Sequence, residues 1–154
     1  MPRATFNDVT LDIPDGWQDN TVVNLVGPAT EHTGLPTANP TVGDAPNIVI
    51  KRDVLTTGNL DLASLGTAQE EMMRVLMPEL QVTARGEAVI GPTRVRAITR
   101  EYAFKGPTRA LAQVQVYWLV GPAFYVLCGT ASVGQGFAEV KKRVSDVLAT
   151  LVTA

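Results

Sequence analysis

Few residues in this 154-residue chain have the type and spacing that chemistry needs. His32 is the only histidine and Cys128 the only cysteine, so a nucleophile–imidazole pair has a single candidate base. His32 sits in a Pro- and Gly-rich stretch, and Cys128 closes the apolar run Phe124–Cys128, where a free thiol behaves as a small buried hydrophobe. A catalytic thiol is not expected. Asp12, Asp15 and Asp19 cluster in sequence and could take a cation, but turn and capping duties account for them better. Glu70 and Glu71 fall in a helical pattern and are expected on its solvated face. No C-x-x-C or H-x-x-H spacing offers a transition-metal site, and no G-x-x-x-x-G-K-S/T or G-x-G-x-x-G offers a phosphate loop. Gly134-Gln135-Gly136 is too short for one and serves the start of a helix instead. These residue types point away from an enzyme, with no metal and no cofactor, and towards a binding module.

The polar groups suited to binding lie on otherwise apolar elements. Between Ala110 and Val120 the chain alternates: Leu111, Gln113, Gln115, Tyr117 and Leu119 share one face, and Ala112, Val114, Val116 and Trp118 share the other. A glutamine amide both donates and accepts, so Gln113 and Gln115 could meet the backbone or Ser/Thr groups of a ligand helix. They could equally keep a solvent-facing sheet soluble. Gln69 borders the apolar face of a helix that also carries Met72, Met73 and Met77. Those methionines suit either plain core packing or an adaptable apolar surface.

The elements that carry these residues follow from periodicity and punctuation. Val9, Leu11 and Ile13 alternate as a strand, Pro14-Asp15-Gly16 turns the chain, Trp17 folds back on the core, and a second strand begins at Val22. Gly27 to Pro46 is one long loop rich in Pro and Gly, either a mobile excursion or a partner contact. Asn47 to Leu55 is a strand. Asp61 caps a helix with apolar residues at Leu62, Leu65, Ala68, Met72, Met73, Leu76 and Met77, and Pro78 ends it. Strands at 81–90, 93–104, 110–120 and 123–133 form a meander joined by Gly-Pro and Lys-Gly-Pro turns. Phe137, Val140, Val144, Val147, Leu148 and Leu151 make a closing helix through to the C-terminus. The predicted class is α+β, a mainly antiparallel sheet packed by two helices, both on one face, in a single domain over 1–154.

Composition narrows the setting. With 18% charged residues and a net charge of −2, the chain has no basic footprint for nucleic acid. Lys141-Lys142-Arg143 is expected on a solvated helix face. One cysteine allows no disulfide within the chain. The N-terminus lacks an apolar leader segment, and no run of 18 apolar residues occurs, so the expected location is cytoplasmic, without stable membrane insertion.

The stretch I-P-D-G-W-Q-D (Ile13–Asp19) resembles the opening of DcrB-like domains of the Mog1/PsbP fold. With the helix ending L-M-P-E-L (Leu76–Leu80), the strand Q-V-Y-W (Gln115–Trp118) and G-P-A-F-Y-V-L (Gly121–Leu127), the chain most resembles the Eag-type chaperones of type VI secretion effectors. That resemblance implies a cytoplasmic homodimer. It would shield the N-terminal transmembrane-like helices of an effector, Rhs-type or similar, and aid its loading onto the VgrG spike protein. It implies that Gln69 and Gln115 hydrogen-bond the effector helices and that Val22 and Leu25 line the groove, beside Gln113 and Tyr117. The loop at 27–46 departs from many such chaperones. The alternative is a Mog1-like regulator that binds a folded partner such as a GTPase, and a weaker one is a periplasmic DcrB/PsbP-like protein.

Overall fold

The computed structural model describes residues 3–6, 9–12, 18–21, 24–26, 46–55, 61–106 and 109–153. In chain order the elements are β1 (Arg3–Phe6), β2 (Val9–Asp12), β3 (Gln18–Thr21), β4 (Asn24–Val26), β5 (Asn47–Val54), α1 (Leu62–Leu76), β6 (Gln81–Ile90), β7 (Val95–Lys105), β8 (Ala110–Val120), β9 (Ala123–Ser132), α2 (Gln135–Ala149) and β10 (Val152–Thr153). The class is α+β: among the described residues, a seven-stranded antiparallel sheet ordered β3-β4-β5-β9-β8-β7-β6 is packed by two helices, with a small sheet β1-β2-β10 beside it.

The predicted meander is present as β6 to β9. Its turns need left-handed backbone at Gly91 (φ 70°) and Gly121 (φ 56°), and Arg94 (φ 56°) also adopts it, so β7 starts at Val95 rather than at 93. Asp61 caps α1 as expected, its carboxylate accepting from the Ser64 amide at 2.7 Å and satisfying one of the helix's free N-terminal donors. The helix ends at Leu76, ahead of Pro78. Three expectations differ. Among the described residues the N-terminal region has four short strands, and β1 and β2 form a hairpin in the smaller sheet. The closing helix stops at Ala149, and the chain then adds β10 to β2. Trp17, Val22, His32 and the 27–45 part of the long loop lie outside the described residues.

The largest correction concerns the layers. The two helices pack on opposite faces of the sheet, not on one. Helix α2 sets Val140, Val144, Val147 and Leu148 against Val114, Val116, Trp118, Tyr125 and Leu127. Helix α1 sets Leu62 with Ile98, Tyr117, Phe124, Val126 and Cys128, and Met73 with Leu80 and Tyr102. The reason lies in β8 and β9, which are apolar at both parities. A strand apolar on both faces must be covered twice. Trp118 stacks on Tyr125 at 5.3 Å under α2, and Gly129 lets that helix come close, since a Cβ there would lie 2.6 Å from Val144 Cγ2.

Candidate binding groove

The face under α1 is built from alternate residues of β5 to β9, and it is only partly roofed. Gly66 brings α1 against Ile98 and Tyr117, over β7 and β8. At about 100° per residue, Glu70 and Arg74 fall on one flank of the helix, and Leu65, Gln69, Met72 and Leu76 on the other. The Glu70 flank is tied towards β6: its carboxylate accepts from Arg85 Nε at 2.9 Å and Nη2 at 3.2 Å, with Arg100 Nε at 3.4 Å and Arg74 Nη2 at 3.7 Å. The opposite flank therefore turns towards β9 and β5. On that side the register places Val49, Lys51 and Asp53 beside Cys128, Val126 and Phe124. Val49 is half-buried, and Lys51 and Asp53 are exposed. Among the described residues, the strip of surface between this flank of α1 and β5 is the candidate trough.

Its helical wall is apolar and open. Met72 is 46% exposed and Leu76 68%, with Val75 at 80% further out on the helix. Gln69 is half-buried on this wall, and its amide makes no hydrogen bond among the described residues. The amide is accessible and keeps its donors and acceptor free for a ligand.

Along β8 the polar groups of this face form a chain. Gln113 Nε2 donates to Thr130 Oγ1 at 2.9 Å, Gln115 Nε2 donates to Gln113 Oε1, and Tyr117 OH donates to Gln115 Oε1. Tyr102 and Tyr117 hydroxyls lie 3.1 Å apart. Because the Tyr117 proton already goes to a carbonyl oxygen, Tyr102 is the donor in that last bond. Every link points the same way, from Tyr102 to Thr130, so each bond polarises the next. Tyr102, Tyr117 and Gln115 are essentially inaccessible, and Gln113 is half-buried. Burial raises the Tyr102 and Tyr117 hydroxyl pKa values above the ordinary 10, and it pushes the Cys128 thiol up to about 12.

The residues named from sequence thus fall in different places. Gln69 and Gln113 sit where a ligand could meet them, on the helix flank and on the half-buried end of the chain. Gln115 and Tyr117 lie deeper and hold Gln113 in orientation. Leu25 lies on β4, its Cα paired with that of Ile48, and Val22 is outside the described residues.

Glu70 is a correction. It does not lie on a solvated face: its side chain is 14% exposed and its pKa is held below the ordinary 4.5, first by the Arg85 hydrogen bond. The physical cause is the register, which sets Arg85 directly opposite Arg100, a like-charged pair that needs an anion between them. No local pattern shows this, because the partners are 15 and 30 residues away in sequence from Glu70. Lys141 also departs from a purely solvated face, pairing with Glu101 at 3.2 Å and lying 5.1 Å from the Phe137 ring centroid. Among the described residues no group of His, Cys, Asp and Glu could hold a metal ion, and no helix is long and apolar enough to cross a membrane.

The sequence profile of the DcrB family matches residues 8–150. No curated protein matches the chain. Among solved structures, the Pseudomonas aeruginosa protein of unknown function PA94 is similar at 22% identity, with a TM-score of 0.60 over 97% of this chain and 96% of that one. The Ran-binding protein Mog1p of Saccharomyces cerevisiae is similar at 7% identity and TM-score 0.59, over 95% of this chain and 90% of that one. The cyanobacterial PsbP protein of Synechocystis is similar at 9% identity and TM-score 0.61, over 99% and 91%. At these identities the likeness is one of fold, and the fold is Mog1/PsbP-like.

Proposed function

The chain belongs to the DcrB family, and on that premise we propose that it is a non-catalytic chaperone for the N-terminal transmembrane-like helices of a type VI secretion effector. The observation that carries the reading is the trough beside α1. It combines an exposed apolar wall, an amide without a partner at Gln69, and an oriented amide at Gln113. An apolar effector helix in water exposes a patch that aggregates. Covering it favours burial against Met72 and Leu76, while its small polar groups need partners, since an unpaired buried polar group costs roughly 1–3 kcal/mol. Two amides beside one apolar helix wall meet both needs. Loading of the effector onto the VgrG spike protein and a cytoplasmic, homodimeric working form complete the reading.

The test is co-purification of the full chain with the N-terminal apolar segment of its effector, followed by affinity measurement. Gln69→Ala and Gln113→Ala each remove one amide contact, worth about 1 kcal/mol or roughly fivefold in Kd; Gln69→Ala leaves the fold unchanged, whereas Gln113→Ala also strands the buried Gln115 amide and lowers stability. Gln115→Ala weakens binding and stability together, because Gln115 is a buried link. If Gln69→Ala and Gln113→Ala hold the segment as tightly as the unchanged protein, the trough is not the binding site. Recovery of a folded GTPase in place of an effector would favour the regulator instead.

A further inference from the structure

Strand β6 forms one edge of the seven-stranded sheet, and among the described residues nothing pairs with its outer side. An unpaired edge is a template for another strand unless it is short, broken by proline or charged to repel. β6 has ten residues and no proline, and after a register shift between Val82 and Ala84 it runs regularly to Ile90. Its charges do not repel a second copy of themselves. About Gly86 the segment A-R-G-E-A (Ala84–Ala88) mirrors alanine with alanine and arginine with glutamate. An antiparallel pair with its two-fold axis at Gly86 sets Arg85 opposite Glu87 of the second copy, twice, and Ala84 opposite Ala88. A parallel pair in register, or a two-fold axis at Arg85, would instead set arginine against arginine.

We propose that two copies of this chain join by antiparallel pairing of their β6 edges about Gly86, into one continuous sheet. Arg85 already bonds Glu70, and Glu87 bonds Arg96 at 2.8 Å on the same face of the sheet. Across the two-fold axis these become alternating chains: Glu70, Arg85, then Glu87 and Arg96 of the second copy. On the other face the residues next to the axis are glycine and alanine, so no bulk stands against the approach there, and Ile90 further along is buried under α2. Strands lie about 4.8 Å apart, and α1 rests over β7 and β8. The two α1 axes would then stand roughly 20 Å apart, beyond the ~10–12 Å diameter of a helix. The trough lies on the far flank of each α1, so pairing leaves both troughs open. The family resemblance implies a dimer. The edge and its register come from β6, and the pairing holds whether or not the chaperone reading does.

Sedimentation velocity of the full chain at tens of micromolar is expected to give a dimer. Glu87→Arg, at an exposed site, is expected to shift it to monomer by setting arginine against arginine, with the fold kept. Adding Arg85→Glu to that variant restores opposite charges and is expected to restore the dimer. In a separate variant carrying Ala84→Cys and Ala88→Cys, the two new thiols lie ~13 Å apart within one strand, too far to bridge. Mild oxidation can therefore join them only between chains, and Cys128 is buried and takes no part. A disulfide-linked dimer confirms the register. A monomeric unchanged protein overturns the proposal, and so does a dimer that persists in Glu87→Arg or yields no interchain disulfide.

Discussion

Tyr117→Phe removes one oxygen atom from the centre of the buried polar chain. The hydroxyl donates to Gln115 Oε1 and accepts from Tyr102 OH, so two hydrogen bonds are lost at once. Tyr102, Tyr117 and Gln115 are essentially unexposed, so water does not replace either bond within the native packing. A stranded buried donor or acceptor costs roughly 1–3 kcal/mol, which puts the loss at about 2–4 kcal/mol. Tyr102→Phe removes only the terminal donor and leaves Tyr117 still bonded to Gln115. Its expected loss is about 1 kcal/mol. The double variant is the informative one. Once Tyr117 is phenylalanine, the Tyr102 hydroxyl has lost its acceptor, so removing it costs nothing more and relieves one stranded group. The double variant is therefore expected to be at least as stable as Tyr117→Phe alone, with a coupling of about 1 kcal/mol or more. Urea unfolding of the four proteins, at constant m-value, measures it, and thermal melts should show about 2–4 °C per kcal/mol. Additive losses, or a Tyr117→Phe protein within about 0.5 kcal/mol of the unchanged one, would refute the directed chain.

Glu70→Gln removes the charge that Arg85, Arg100 and Arg74 share, and is expected to cost about 1–3 kcal/mol at pH 7, read by urea unfolding. The Glu70 pKa is lowered in the folded state, so its contribution is present above the ordinary value of 4.5 and is lost as pH falls through the lower folded value. The stability gap between the two proteins should therefore close as the pH falls below 4.5, and a gap that stays constant to pH 2 would contradict the assignment. Gly129→Ala puts a methyl group 2.6 Å from Val144 Cγ2 and 2.8 Å from Val140 Cγ1, and should cost about 1–3 kcal/mol by overpacking α2 against the sheet. Cys128, with its thiol pKa pushed up to about 12, should resist iodoacetamide at pH 8 in the native protein and label only in step with global unfolding as urea is raised.

How far these features were legible depends on the range of the interaction behind them. The α1 cap at Asp61, its stop before Pro78, the β6–β9 meander and the two parities of β8 are set by neighbours a few residues apart, and sequence spacing shows them. The alternation of β8 also placed Gln113, Gln115 and Tyr117 on one face. It could not tell which of them stays near the surface. That depends on α1 seating Gly66 over Tyr117, a contact between residues 51 positions apart.

The same distinction explains the errors. Glu70 reads as solvated from its helix alone, and only the pairing of β6 with β7 brings Arg85 and Arg100 together beneath it. Expecting both helices on one face overlooked the apolar residues at both parities of β8 and β9, which require a cover on each side. The sequence by itself determined both described helices, β5 and the β6–β9 meander, their order and the chemical character of each face, because periodicity and turn chemistry are local. Tertiary structure alone decided which helix covers which face, where the trough opens and which amide is left without a partner. Those outcomes depend on strand register and on contacts between residues far apart in the chain, which no local pattern encodes.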